Sequence, residues 1–165
     1  MSGTPRLALP FLSPGQAQKE FFHNEALQTL DILVAAAVEE PPRAAPPATP
    51  SPGAAYIVDA TPTGIWTGRA LNLAAYTSGG WRFVPPAEGL YTYVKSSGIW
   101  GVYRAGAWEL GIVRGSNLVL GGVQVVGGQA AAIPNPTGGI TTDSEARTAV
   151  GQILAALRQH GLIAT

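Results

Sequence analysis

Apolar and polar residues alternate with a helical period near the C-terminus of the chain. The apolar positions follow the i, i+3, i+4, i+7 spacing of an amphipathic helix: Ala146, Ala149, Val150, Ile153, Leu154 and Leu157. Thr142 and Glu145 match a capping box at the start of this helix, and Gly161 suits its C-cap. We predict an amphipathic C-terminal helix. Its apolar side also fits a two-heptad seam, so it can pair with copies of itself or dock within the chain.

A second helical pattern lies near the N-terminus. Ser13 suits an N-cap and Pro14 the first helical position. Apolar or small residues then recur at helical spacing: Ala17, Phe21, Phe22, Ala26, Leu27, Leu30, and Leu33 or Val34. We predict an N-terminal helix. Residues 33–40 can also leave the helix and pair as a strand, and periodicity does not decide between the two.

Short segments rich in β-branched and aromatic residues occupy the middle of the chain. Turn residues separate these segments, which are 54–59, 81–84, 90–95, 98–104, 107–114, 117–120 and 123–126. Six or seven short antiparallel strands predict a small barrel or sandwich. The expected fold class is therefore mainly β with terminal helices.

Four zones describe the expected domain organisation. Residues 1–40 form a helical attachment segment, 41–53 a proline-rich arm or linker, and 54–128 an antiparallel β domain; 129–165 form a loop and a docking or oligomerisation helix. The second zone holds six of the fourteen prolines. Such a segment is extended and cannot form a helix or a central strand. We expect it to be a linker or to lie on a surface.

Charge and composition narrow the function. Ten basic and ten acidic residues among 165 give a formal net charge of zero, so the chain has no electrostatic footprint for nucleic acid or an acidic membrane. Charged residues make up only 12% and hydrophobic residues 46%. A surface with so little charge protects poorly against association. The composition favours a component of an assembly over a free enzyme.

Enzyme signatures are missing from the sequence. It contains no nucleophile elbow, no phosphate-binding loop and no zinc-protease motif. Cysteine is absent, and the two histidines, His23 and His160, are far apart. The acids of the β zone, Asp59, Glu88 and Glu109, have no spacing that sets two of them across a cleft. We expect no catalytic residues, no cofactor and no metal.

The N-terminal sequence predicts no signal peptide, because no basic region is followed by a continuous apolar stretch. No apolar run reaches the length of a membrane helix. We therefore expect synthesis in the cytoplasm, no membrane insertion and release by host lysis.

The four tryptophans are candidates for sugar stacking: Trp66, Trp81, Trp100 and Trp108. Each follows a small turn residue directly or one residue later. A small β domain without disulfides must also fill a core, and one aromatic side chain buries a large area. Core packing is favoured for any single tryptophan, and a sugar-binding face made by a subset stays open.

A distinctive motif precedes the β zone, with matched positions at Gly15, Gln16, Ala17, Gln18, Lys19, Glu20, Asn24, Glu25, Ala26, Leu27, Leu30 and Asp31. A G-x-W-x-G element at 64–68 and an A-x-Y-x-x-G-G-W-x-F element at 74–83 continue the pattern. These motifs resemble the DUF2793-type domain family of alphaproteobacterial prophages and gene transfer agents, which are associated with spikes and tail fibres.

The resemblance implies a structural protein of a phage-like particle: a spike or fibre base or adaptor that links capsid or tail to a host-attachment fibre. The implied partners are copies of itself and capsid, tail or fibre subunits. From the motif and the helix stripe we expect assembly contacts at Gln16, Gln18, Lys19, Asn24, Glu25, Asp31, Val150, Ile153, Leu154 and Leu157. The alternative is a carbohydrate-binding module that recognises host capsule or surface polysaccharide through exposed Trp and Tyr.

Overall fold

The computed structural model describes residues 3–12, 19–141 and 143–165. The chain divides into two compact units, Met1–Ile112 and Val113–Thr165. The described residues form a mixed α/β protein, with a helix near each end of the chain and three open sheets. The two terminal helices are therefore confirmed. The predicted small barrel is wrong, because no sheet in these residues closes on itself.

In its described residues, the first unit contains one α-helix and seven strands. They are α1 (Lys19–Leu33), β1 (Ala37–Val38), β2 (Ala55–Ile57), β3 (Leu73–Thr77), β4 (Gly80–Val84), β5 (Tyr91–Val94), β6 (Ile99–Arg104) and β7 (Ala107–Leu110), with a short 3-10 helix at Gly64–Trp66 between β2 and β3. The chain leaves α1 at Ala35, whose left-handed φ of 48° cannot continue a right-handed helix. The predicted helix start at Ser13 and Pro14 lies outside the described residues.

Two sheets make up the first unit. One has the order β1-β5-β6-β7, with β1 parallel to β5 and the other pairs antiparallel. The other is an antiparallel sheet of order β2-β3-β4. Part of the 33–40 segment therefore does pair as a strand. The prediction missed β3, because alanine is depleted in strands and the pairing with β2 and β4 overrides this weak preference.

Glycine sets the geometry of the β6–β7 hairpin. Ala105 and Gly106 form its two-residue loop, and both have positive φ, as a type I′ turn requires. Gly101 lies opposite Leu110 in the same hairpin. A Cβ atom at Gly101 would approach Leu110 Cδ2 to 2.5 Å, so a side chain at this position would force the Leu110 side chain to move.

Strand β2 is buried on both of its faces. Ala55 and Ile57 belong to a cluster that also contains residues from α1, β1, β3 and β5. Tyr56 lies on the opposite face, in a second cluster with Trp66 and Ala74. Successive residues of a strand point to opposite faces, so one short strand supplies both clusters. The first unit thus has a core on each side of its three-stranded sheet.

The proline-rich segment 41–53 lies against the first unit. Arg43 N donates to Ile57 O (3.1 Å), and Asp59 N donates to Arg43 O (2.9 Å). At the other end of the segment, Gly53 N donates to Tyr76 O (2.7 Å). Backbone hydrogen bonds therefore fasten both ends of this segment along β2 and β3.

The second unit contains the hairpin β8 (Leu118–Leu120) and β9 (Val123–Val126), followed by α2 (Ser144–Gln159). The compact units divide after residue 112, so β8 and β9 lie in the second unit, whereas the predicted 54–128 domain groups them with the other strands. Asp143 is the N-cap of α2, and its carboxylate accepts from Ala146 N (2.8 Å). The predicted capping box had Thr142 in that role; Thr142 itself lies outside the described residues.

Candidate functional site

Asp31, predicted as an assembly residue, is the centre of an internal hydrogen-bond network. Its carboxylate is 2% exposed and accepts from Thr4 Oγ1 (2.7 Å), Arg6 N (3.0 Å) and Leu7 N (2.5 Å). A buried carboxylate needs such donors to offset its desolvation. The network holds the turn that precedes α1 against the last turn of the helix.

Arg6 caps the C-terminal end of the same helix. Its guanidinium donates to Asp31 O (2.8 Å), Ile32 O (3.2 Å) and Ala35 O (2.8 Å). These carbonyls come at the end of α1, where helical partners run out and the helix dipole is negative. The last turn of α1 holds no basic residue of its own, so Arg6 supplies the charge from 25 residues upstream.

Asn24 and Glu25 also make contacts within the chain. Leu12 N donates to Asn24 Oδ1 (3.0 Å), and Asn24 Nδ2 donates to Leu12 O (3.3 Å). Glu25 forms a two-pronged ion pair with Arg82 of β4, with one contact of 2.5 Å. These residues tie α1 to the rest of its unit, and their predicted assembly contacts stay a prediction. Gln16, Gln18 and the Lys19 side chain lie outside the described residues.

The apolar residues of α1 lie largely on its solvent side. Phe21 and Phe22 are 62% and 72% exposed, and Leu30 is also exposed. The two phenylalanine rings contact each other edge to face at 5.7 Å. The helix thus directs Asp31 and Ile32 inward and leaves Phe21, Phe22 and Leu30 exposed. A surface helix of a self-contained domain normally turns its large apolar groups toward the core.

The apolar stripe of α2 is divided between the interior and the solvent. Leu154 is buried and Leu157 half-buried, whereas Val150 and Ile153 are exposed, Ile153 by 59%. Two arginines fasten the preceding segment to the helix. Arg158 donates to Ile133 O (2.5 Å), and Arg147 donates to the carbonyl oxygens of residues 136 and 138. Helix α2 therefore presents an exposed apolar side next to a packed one.

Three of the four candidate tryptophans are part of the packing of the first unit. Trp66 is fully buried, and the half-buried Trp81 contacts it edge to face at 5.0 Å. Trp108 packs against the other cluster, and its Nε1 donates to Leu71 O (2.8 Å). Their side chains fill the core, so Trp100 is the one tryptophan that offers an exposed ring.

Trp100 belongs to an aromatic patch that the sequence analysis did not identify. It lies directly opposite Tyr93 on neighbouring strands, with ring centroids 5.3 Å apart. Tyr91 lies two residues before Tyr93 on β5 and therefore on the same face of the sheet. Trp100 and Tyr91 are 59% and 61% exposed. The period-2 spacing of Tyr91 and Tyr93 was the available signal, but only the strand register reveals Trp100 beside them.

The acids of the β zone have local roles. Asp59 Oδ1 accepts from Thr61 N (3.1 Å), and Glu88 Oε2 accepts from Ala105 N (2.9 Å). A groove of about 270 Å³ separates α1 from β4 and is lined in part by Glu25 and Arg82, which neutralise each other. Within residues 3–12, 19–141 and 143–165, no three His, Asp or Glu residues are placed to hold a metal ion.

Two titratable side chains of the described residues have pKa values shifted from their ordinary values. Burial raises the pKa of Tyr56, and the nearby carboxylates of Glu39 and Glu40 add to this effect. A hydrogen bond to its own backbone and one from Ser144 lower the pKa of Glu145. The first shift keeps a core phenol neutral, and the second keeps a carboxylate charged beside the positive end of α2.

These features define a mixed α/β protein with two outward-facing apolar helix sides and one aromatic patch. Residues 23–109 match the family described as "Protein of unknown function (DUF2793)". Because this match covers more than half of the chain, the protein belongs to the DUF2793 family. Comparison with curated proteins and with solved structures found no match. Neither described helix has the length and apolar character needed to cross a membrane.

Proposed function

We propose that this chain is a structural subunit of a phage-like particle, a gene transfer agent or a prophage particle. In this proposal it is a spike or fibre base or adaptor, which links the capsid or tail to a host-attachment fibre. The resemblance of its motifs to prophage and gene transfer agent proteins supports this type of particle. In this proposal it is made in the cytoplasm and released with the particle by lysis.

The exposed apolar side of α1, with Phe21, Phe22 and Leu30, is the observation that carries the proposal. Exposing Phe21 and Phe22 to water leaves on the order of 2 kcal/mol of burial energy per side chain unused. A large exposed apolar group that lies beside others marks a contact surface. The exposed side of α2, with Val150 and Ile153, is a second such surface. An assembly subunit gains this energy when its neighbours cover both surfaces.

The direct test is to purify particles from producing cells on a density gradient and to identify their proteins by mass spectrometry. We expect this chain to sediment with the particles at a fixed copy number relative to the capsid protein. Recovery of the chain only as free protein would contradict the proposal.

Charged substitutions on α2 test whether its exposed side contacts another subunit. The double variant Val150→Asp, Ile153→Asp should abolish incorporation into particles, because it places two charges in an apolar contact. Gln152→Asp, Ala155→Asp is the matched control, since it adds the same charge at the same spacing on exposed positions of the opposite side. Equal incorporation of both variants would exclude α2 as a contact.

The aromatic patch supports a second candidate function, a carbohydrate-binding module for host capsule or surface polysaccharide. Tyr91, Tyr93 and Trp100 present aromatic rings on one solvent-facing side of a sheet. Capsule saccharide should change tryptophan fluorescence in the wild type and leave Trp100→Ala unaffected, because the other tryptophans are packed. Trp100→Phe, which keeps an aromatic face, should retain binding in a calorimetric titration. An unchanged wild-type spectrum at saturating saccharide would count against this function.

A further inference from the structure

The apolar side chains of the β8–β9 hairpin in the second unit are largely exposed. Its six apolar side chains are between 43% and 64% exposed: Leu118, Val119, Leu120, Val123, Val125 and Val126. The two strands form a sheet by themselves, so each has one edge without a strand partner among the described residues. A two-stranded hairpin in water is marginally stable at best, and it needs further strands or a packed face.

Both faces of this hairpin carry exposed apolar side chains. Leu120 pairs with Val123 on one face, and Val119 pairs with Gln124 on the other. A sheet with one solvated face shows apolar residues on the buried side and polar residues on the other. Apolar residues on both sides are typical of strands that are covered twice. The short hairpin therefore requires packing partners on both of its faces.

The surrounding sequence restricts what can provide that cover. Residues 115–142 contain no acidic residue, no basic residue and no histidine. Strands at the edge of monomeric sheets are normally protected by charged residues or proline, and neither occurs in 118–126. An uncharged surface offers no complement to a charged partner. It also offers no repulsion to an identical copy, so a second copy of this chain is the occupant that its chemistry fits.

We propose that the β8–β9 hairpins of several copies of this chain associate and form a shared β interface. This inference rests on the proposed function, because it identifies the self-contacts of a particle subunit. The exposed apolar area of the hairpin is on the order of 600 Å² per copy, close to the roughly 800 Å² that one partner contributes to a standard interface. A cavity of about 230 Å³ beside the hairpin, lined in part by Val113, Leu118 and Val126, offers space for apolar side chains of the neighbouring copy.

The test uses the purified full-length chain and a matched pair of single variants. Val123 and Ile65 are 64% and 68% exposed, so a charge at either position costs a monomer equally little. Light scattering coupled to size exclusion should give the wild type a multiple of the monomer mass. Val123→Glu should raise the dissociation constant at least about 100-fold, because the contact would bury an unpaired charge. Ile65→Glu should leave it unchanged.

Disulfide cross-linking provides an independent measurement. The chain has no cysteine, so one introduced thiol reports one contact. Val123→Cys should give a cross-linked dimer under mild oxidation, whereas Ile65→Cys should stay monomeric on a non-reducing gel. All four tryptophans lie in the first unit, so their fluorescence verifies that this unit remains folded in each hairpin variant.

A wild-type chain that stays monomeric up to millimolar concentration would overturn the inference. An oligomer that Val150→Asp, Ile153→Asp dissociates but Val123→Glu does not would also overturn it, in favour of α2. These outcomes differ from failure of the proposed function. A chain absent from particles can still self-associate through the hairpin, and a chain present in particles can fail to do so.

Discussion

The two units of this chain use their apolar residues differently. The first unit, Met1–Ile112, encloses two clusters of buried residues around a three-stranded sheet. In the described part of the second unit, Val113–Thr165, the buried hydrophobic residues are Leu154 and Ile163. All thirteen Trp, Tyr and Phe residues of the chain fall in the first unit. A unit of 53 residues without aromatic groups has little from which to build a core.

This difference indicates where each unit obtains its stability. The first unit holds most of the buried hydrophobic residues of the described chain. The second unit has many exposed apolar groups, so we predict that contacts with other chains supply much of its stabilisation. The predictions that follow test this division, from the largest expected effect to the smallest.

The largest effect is expected from Trp66→Ala in the first unit. Trp66 is fully buried, so its removal leaves a cavity and should lower the free energy of unfolding by about 3–5 kcal/mol. Urea denaturation followed by the fluorescence of the remaining tryptophans measures this change. Trp100→Ala is the matched control and should cost less than about 1 kcal/mol. Equal losses would contradict the assignment of Trp66 to the core and Trp100 to the surface.

A second comparison lies within α2. Leu154→Ala removes a buried side chain and should destabilise the second unit by about 2 kcal/mol or more, whereas Ile153→Ala should cost the isolated chain less than about 1 kcal/mol. Hydrogen exchange of the α2 amides, measured by mass spectrometry, reports the unit directly. If α2 contacts a neighbouring subunit in the particle, Ile153→Ala should destabilise α2 more in the particle than in the isolated chain. A large effect already in the monomer would place Ile153 in an internal contact.

Asp31→Asn tests whether the motif carboxylate stabilises the first unit. The substitution keeps the size of the side chain but weakens its bonds with Thr4 and two backbone N–H groups, so it should cost about 1–3 kcal/mol. Asp59→Asn is the control, because the Asp59 carboxylate accepts from Thr61 in the same turn. Thermal unfolding of both variants distinguishes the two sites. A neutral Asp31→Asn that fails to enter particles would instead support a direct assembly contact.

The smallest effect concerns alkaline pH. Because the pKa of Tyr56 is raised above its ordinary value of 10.0, the folded state favours the neutral phenol. The stabilisation that this pKa difference contributes is fully present below pH 10.0 and is lost as the pH rises through the raised pKa of the folded state. Tyr56→Phe should therefore lose less stability than the wild type between about pH 9 and about pH 11. Equal losses in a denaturation series over this range would exclude Tyr56 as the source.

Much of the local structure could be predicted from the chain itself. The 3.6-residue period located α2, and the Gly121–Gly122 pair indicated the turn between β8 and β9, where both residues have positive φ. Such features depend on residues that are close together in the sequence, so they can be predicted without the fold. β3 was missed, because its alanines have low strand propensity and its pairing partners are distant in sequence.

The candidate site was less predictable. Asn24, Glu25 and Asp31 were singled out from the motif, but their partners Leu12, Arg82 and Thr4 belong to other segments. The tryptophans looked equivalent in sequence because each follows a small turn residue. Their burial depends on which sheet face each side chain occupies, and strand register decides that.

The sequence by itself determined the positions of the two helices, the hairpin turns, the neutral charge and the family motif. Helical period, turn conformation and composition are properties of residues near one another in the chain, so they can be read without the fold. Only the tertiary structure decided that α1 buries Asp31 and exposes its phenylalanines, that Trp100 joins Tyr91 and Tyr93, and that β8 and β9 lack a core. Each of these depends on contacts between distant segments, and burial is a property of the assembled chain.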